Sequence, residues 1–319
     1  MEAFWRSRKR EAEAERVMDI LLVVLGVLIL GVFWVMLHDT THFETTEYCV
    51  TDPRIRKAFR AVVLADLHNQ RYGRDNQLLL KAIRDGRPDI VLIAGDMLTA
   101  RPGKDFTPAI DLIRELSKEY PIYYGVGNHE HRIRLYRQTY GSMGRDYVQA
   151  LRECGVKLMC NERRTLEEYG VDVVGSQIHH RYYQRWEKRP MAKTYLPRTL
   201  GEPDSEHYTI LLAHNPDYFP EYAAWGADLT LSGHVHGGVA RVPFWNHGVI
   251  SPSMKLFPKY DGGLFDEGKA HMILSRGLGC HTIPVRLFNP GDLIFLQFQP
   301  AQDSTITKLG KKNKTKKQA

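Results

Sequence analysis

Five short clusters along the chain combine imidazole, carboxylate and amide side chains with glycine. They are Asp66-Leu67-His68, Gly95-Asp96, Gly127-Asn128-His129-Glu130, Ala213-His214-Asn215-Pro216-Asp217 and Gly233-His234-Val235-His236-Gly237-Gly238. Donors of these types suit divalent Mn, Fe or Zn, and the absence of cysteine from every cluster argues against a structural thiolate site. A single histidine after an apolar run is ordinarily a satisfied polar residue. Five such clusters together read as a metal site.

The clusters share a placement, since each closes an apolar run: AVVLADLH, DIVLIAGD, PIYYGVGNHE, YTILLAH and ADLTLSGH. Between the first three runs lie NQLLLKAIRDG and PAIDLIRELSKEY, whose apolar residues recur at helical spacing. Strand, helix and strand in alternation predict crossovers in a mainly parallel sheet. In such sheets the ligand crevice lies outside the carboxyl ends of the strands, which would bring the clusters together. The later runs VDVVGS, HMILSRG and DLIFLQF are shorter and loop-separated, so a second sheet packed on the first is expected. No internal repeat is evident.

The series DxH, GD, GNH with a following acid, a lone His and GHxH resembles the calcineurin-like metallophosphoesterase family, and all five blocks occur in order over roughly residues 58 to 298. The resemblance implies an α/β fold, an α+β sandwich of the metallophosphoesterase type with two packed mixed β-sheets flanked by helices. It implies two divalent ions, with manganese favoured over iron and zinc. Asp66, His68 and His236 correspond to ligands of one ion, Asn128, His214 and His234 to ligands of the other, and Asp96 to the bridge. His129 corresponds to the general acid or charge stabiliser beside the leaving group, and Glu130 is expected to orient its imidazole. Two ions about 3.5–4 Å apart lower the pKa of a bridging water and clamp the oxygens of an in-line displacement. Charge counting over the two ions, Asp66, Asp96 and a bridging hydroxide leaves a net positive site for a phosphate anion.

Protein phosphatases of this superfamily carry GDxVDRG and an arginine before GNHE. Here the stretches read Gly95-Asp96-Met97-Leu98-Thr99-Ala100-Arg101 and Val126-Gly127-Asn128-His129-Glu130, which disfavours that activity. LAHNPD, GHVHGG and SRGLGCHTIPVRLFNPGDLIFLQF instead look like the membrane-anchored YkuE-like branch, related to UDP-2,3-diacylglucosamine pyrophosphatases. Val235 stands where that pattern usually has Thr, at a position that supplies no ligand side chain. The expected reaction is hydrolysis of a phosphodiester or pyrophosphate of a lipid or cell-envelope substrate. Two alternatives stand beside it: a UDP-linked lipid pyrophosphatase facing the cytoplasm, and a non-catalytic, metal-stabilised binding module.

The 319 residues, 43% hydrophobic and 25% charged, suffice for one catalytic domain. An uninterrupted apolar stretch from Ile20 to Leu37 is about long enough to cross a bilayer as one helix. It lacks a small-residue cleavage site and reads as an uncleaved anchor. Arg6, Arg8, Lys9, Arg10 and Arg16 precede it, and no lysine or arginine follows until Arg54, which predicts a cytoplasmic N-terminus and an extracytoplasmic domain. The chain divides into a basic N-terminus (1–19), the anchor (20–37), a polar tether without period (38–57), the catalytic domain (58–300) and a disordered lysine-rich tail (301–319). Partners are then membrane lipids at the anchor and a phosphate ester, possibly lipid-linked, at the site.

Residues 179–198 interleave Arg181, Arg185, Lys188 and Arg189 with Tyr182, Tyr183, Trp186 and Tyr195. This is either a solvated loop or a cover at the headgroup layer, and no nucleic-acid motif accompanies it, so no nucleic acid is expected. Cys49, Cys154, Cys160 and Cys280 lack CxxC spacing and leave the compartment open. Of the remaining histidines, His247 and His281 stand in glycine-rich loops and are the candidates for a role at the site.

Overall fold

The computed structural model describes residues 1–184, 188–243, 247–251, 256–280 and 284–312. Strands β1 (Phe43–Asp52), β2 (Phe59–Leu64), β3 (Ile90–Ile93), β4 (Ile122–Gly125) and β5 (Lys157–Met159) share a sheet with β12 (Gly291–Pro300) and β13 (Thr305–Lys312), in the order β13-β1-β12-β2-β3-β4-β5. The second sheet takes β6 (Arg163–Leu166), β7 (Val171–Gly175), β8 (Tyr208–Leu212), β9 (Leu229–Ser232), β10 (Gly263–Glu267) and β11 (Ala270–Leu274), in the order β10-β11-β9-β8-β7-β6. Both sheets are mixed. β2 to β5 run parallel with β12 antiparallel beside them, and β7, β8, β9 and β11 run parallel between antiparallel β6 and β10.

Alternation along the strands builds the layers, because successive side chains leave opposite faces of a strand. Val63 on β2, Leu92 on β3 and Leu296 on β12 point between the sheets against Val173, Ile210 and Leu231. Val62, Val91 and Phe295 point the other way, onto Leu79 and Ile83 of helix α2 (Gln77–Gly86) and Ile110 and Ile113 of α3 (Thr107–Ser117). Each central strand is thus buried on both faces, which is why its sequence is an unbroken apolar run. A further helix layer covers the outer face of the second sheet, where Val174 and Leu211 meet Tyr222 and Trp225.

Two segments depart from the sequence reading. Residues 38–57 are not a tether: they hold the end of the N-terminal helix α1 (Glu2–Thr41), a junction at His42, and β1, which pairs parallel with β12 and antiparallel with β13. The polar residues that hid its period are satisfied inside the sheet. Thr46 donates to Asp292 Oδ1 at 2.8 Å, and Glu47 accepts from Arg60 at 2.9 Å. The tail likewise contains β13, an edge strand on which Lys308 suits a sheet edge. Residues 313–319 lie outside the described residues.

The order of strands fixes where the chemistry sits. β1 and β12 begin at the end of the sheet where β2, β3 and β4 finish, since Phe43 pairs with Gly291, Ile294 with Val63, and Leu64 with Ile93. α1, entering β1, therefore leaves the domain at the end that bears the metal-type clusters. Its apolar side chains from Ile20 to Leu37 are exposed over nearly the whole stretch, and only its last turns touch the domain. By length and composition the helix is apolar enough to cross a membrane.

Candidate metal centre

The five clusters converge at the carboxyl ends of β2, β3, β4, β8 and β9. Their loops are stitched backbone to backbone: Asp66 N–H donates to Gly95 O at 3.0 Å, His68 N–H to Asp96 O at 3.2 Å, and Gly233 N–H to His214 O at 3.1 Å. Asp66, His68, Asp96, His234 and His236 all adopt positive φ, between 49° and 75°. Asp, Asn and His tolerate this region better than other side chains, yet so many in one place marks a backbone bent to aim side chains inward. Two glycines allow the close approach. A Cβ on Gly127 would stand 2.2 Å from Asp96 Oδ1, and one on Gly233 would stand 2.3 Å from Asp66 Oδ2.

Three groups of ligand-type atoms result: Asp66 with His68 and His236, Asp96 with His214 and His234, and His68 with Asp96 and His129. His68 Nε2 and His236 Nε2 face each other at 3.2 Å, and Asp66 Oδ1 lies 3.8 Å and 3.4 Å from them. The other nitrogens of these rings are engaged, His68 Nδ1 with Leu98 O at 3.2 Å and His236 Nδ1 with Gly279 O at 3.1 Å. Since a carbonyl only accepts, each Nδ1 carries the proton and each Nε2 turns a lone pair inward. His214 repeats the device, its Nδ1 on Ala94 O at 2.7 Å. Its Nε2 lies 2.9 Å from Asp96 Oδ2. Asn128 Oδ1, at the start of helix α4 (Asn128–Leu135), is buried with no donor. Lone pairs facing lone pairs and carboxylates require cations, so the donor set fits divalent metal.

The electrostatics say the same. Burial opposes charge on Asp66 and, despite attraction to His214, lifts its pKa to about 7 with the help of the Asp96 charge. Burial also opposes charge on Asp96, but His214, His129 and His68 outweigh it and hold this carboxyl well below the usual range. Burial disfavours protonation of His214, yet the Asp96 and Asp66 carboxylates raise its pKa to about 10. The pocket draws positive charge from whatever can supply it.

His129 and Glu130 are not paired with each other as expected. Glu130 does not orient the His129 ring. Its carboxylate accepts from the N–H groups of Asp96 (3.0 Å), Met97 (2.8 Å) and Gly127 (3.0 Å) and from the Tyr124 hydroxyl (2.7 Å), so it ties the second loop to the third. Burial and the Asp96 charge lift it to about 7, against the pull of Tyr124. The His129 ring is fixed instead by a backbone amide: Nδ1 accepts from Ala100 N–H at 2.7 Å. The proton then resides on Nε2, which lies 3.9 Å from Asp96 Oδ2 and faces the centre.

Tyr183 was not singled out in advance. It places its ring 5.4 Å from His234 and 6.3 Å from His214, and comes from the 179–198 stretch, far in sequence from every metal block. Arg185 and Trp186 of that stretch, and His281, lie outside the described residues. His247 stays away from the centre and pairs with Asp261 at 3.4 Å.

With this geometry in hand, the model of the calcineurin-like phosphoesterase family matches residues 59–238. The chain is similar to an uncharacterized metallophosphoesterase of Campylobacter jejuni, 25% identical over 88% of this chain and 70% of that protein. It is similar to the uncharacterized metallophosphoesterase YkuE of Bacillus subtilis, 25% identical over 76% and 81% of the two chains. Phosphodiesterase YaeI of Escherichia coli is 26% identical over 69% and 75%.

The four bonds to Glu130 generate an expectation. Glu130→Ala should leave three amides unpaired in a dry site, each at about 1–3 kcal/mol, and so lower unfolding stability by at least about 3 kcal/mol. Chemical unfolding of the metal-loaded protein measures it. Unchanged stability with lost turnover would return Glu130 to a role in the chemistry.

Proposed function

The chain belongs to the calcineurin-like phosphoesterase family and is a metal-dependent phosphoester hydrolase, from which we propose that it acts, membrane-anchored, on a phosphodiester or pyrophosphate of a lipid or cell-envelope molecule. The observation that carries the reading is the pair of inward-facing imidazole nitrogens of His68 and His236 at 3.2 Å, backed by the Asp66 carboxylate. Two divalent ions, when bound, would supply Lewis-acid activation of water and neutralise the phosphate anion. Asp66, His68 and His236 would hold one ion, Asn128, His214 and His234 the other, and Asp96 would serve both. Manganese is favoured among Mn, Fe and Zn, whose imidazole and carboxylate preferences this donor set meets.

The chain's own residues then do two things. Carbonyls of Leu98, Gly279 and Ala94 keep three imidazoles in the ligating tautomer. His129, with Nδ1 occupied by Ala100 N–H, presents an Nε2 proton toward the departing oxygen of the ester. Support for a diester comes from the Escherichia coli relative YaeI, a phosphodiesterase. Support for a lipid or envelope substrate comes from α1, whose exposed apolar stretch leaves the domain at the end bearing the centre. The charge bias around α1 supports reading residues 38 to 319 as lying outside the cytoplasm.

Asp96→Asn should lower turnover by at least about a hundredfold and lose bound metal, because one carboxylate supports both ions. Metal analysis beside hydrolysis of bis-p-nitrophenyl phosphate decides it, and unaltered metal content and rate would sink the dinuclear assignment. His129→Asn should retain metal and cut turnover by ~10²–10⁴ on a poor leaving group, with a smaller loss on nitrophenolate, which needs little protonation. Equal losses on both leaving groups would make His129 structural. Protease added to intact cells should remove the domain and leave a short membrane fragment. Resistance until permeabilisation would place the domain in the cytoplasm.

A further inference from the structure

The junction between α1 and the domain is short and stiff. The apolar stretch ends at Leu37, and two residues later Asp39 is already buried, a rise of about 3 Å along a helix. Asp39 Oδ2 accepts from Asn289 N–H at 2.9 Å, and Thr40 Oγ1 accepts from Arg286 N–H at 3.1 Å. The helix then passes through His42 directly into β1. The face of the domain around residues 286–289 must therefore lie against whatever surface α1 enters.

That face is one hydrogen bond from the metal centre. Asn289 Nδ2 donates to His236 O at 2.8 Å and Gly238 O at 2.7 Å. Arg286 donates to Gly277 O and to Gly279 O, the carbonyl that also holds His236 Nδ1. Between these anchors lie Leu287 and Phe288, and Phe288 is 39% exposed with φ of 54°. From Leu287 a short ladder runs sideways to Ala240, then to Val249 and Ile250, and then to Leu256 and Phe257. Three strand spacings put that last pair about 14 Å from Leu287. Leu256 is 67% and Phe257 65% exposed, Phe257 has φ of 44°, and exposed Lys259 follows.

A bulky aromatic residue in left-handed backbone is a genuine outlier, and strain of this kind persists where it serves contact or mechanism. One of the two exposed phenylalanines so held, Phe288, adjoins the residues that bind the end of the apolar helix, and the other, Phe257, stands at the far side of the ladder that starts there. We propose that Phe288 and the Leu256-Phe257 tip form a second membrane contact, inserted at the headgroup boundary of the bilayer that α1 spans. This contact, resting on the anchored reading above, lays the mouth of the metal centre against the phosphate layer of that same bilayer. Apolar rings at the acyl boundary with a lysine beside them match the composition of interfacial segments. The substrate class follows: a phosphate ester presented in the plane of the membrane, its ester at headgroup depth.

The test uses the full chain in vesicles of phosphatidylcholine and phosphatidylglycerol. The photo-crosslinker p-benzoylphenylalanine is placed singly at Phe257, Phe288, Leu28 within the anchor, and Glu168 at the opposite end of the sheet. Hydrolysis of soluble bis-p-nitrophenyl phosphate reports each labelled protein as folded. Irradiation should add the mass of one phospholipid at Phe257, Phe288 and Leu28 and none at Glu168. Adducts at Leu28 alone would overturn the second contact while leaving the anchor intact. No adduct at Leu28 would remove the anchor and this inference with it.

Discussion

Two buried carboxylates and the imidazoles that face them cannot share a dry pocket without cations between them. That constraint organises the rest of the molecule. Left-handed backbone at Asp66, His68, Asp96, His234 and His236 costs on the order of 1 kcal/mol or more at each position, and the native fold holds it there only because the surrounding loops leave no alternative. Metal binding is linked to that folding, since ligands preset in the folded chain are scattered in the unfolded one. Glu130 belongs to the same arrangement: its four bonds keep Asp96 and Asn128 in register before any substrate arrives.

The convergence of metal-type side chains was more legible in the sequence than architecture at the termini. Asp66, His68, Asp96, His214, His234 and His236 announce themselves because ligand types are rare at strand ends and recur in a fixed order. The sandwich follows from apolar runs buried on both faces. β1 escaped because FETTEYCVTD carries Glu and Thr where a half-buried strand would carry aliphatics, and their partners, Arg60 and Asp292, come from other strands. β13 escaped because an edge strand rich in lysine has the composition of a solvated tail. The partner of Glu130 was misjudged for a related reason. Adjacency in sequence suggested His129, whereas at the start of a helix a carboxylate three residues in is drawn to the unpaired amides at the helix N-terminus. Tyr183 had no signal of its own, because only tertiary packing brings its stretch over His214 and His234.

The second sheet contributes three of the imidazoles, His214, His234 and His236, and neither of the carboxylates Asp66 and Asp96. Asp66 and Asp96 come from loops after β2 and β3, while His214, His234 and His236 come from loops after β8 and β9. The interface between the sheets, filled by Val63, Leu92, Ile210 and Leu231, therefore sets the separation of carboxylate from imidazole. A cavity or an overpacked residue there would be felt at the centre as altered ligand spacing, although none of these side chains touches it.

The single-residue junction at His42 has one more effect. A domain on a flexible linker explores a hemisphere and meets solutes in three dimensions. This domain has no slack: its helix enters the sheet directly, and Asp39 and Thr40 are bonded to the residues that shape the metal loop. With α1 spanning a bilayer, as proposed, its search would be confined to a plane. Encounter would then depend on lateral diffusion and on the mole fraction of ester among its neighbours, so dilution by inert lipid, at constant total concentration in the tube, would act on it as dilution in water acts on an untethered enzyme.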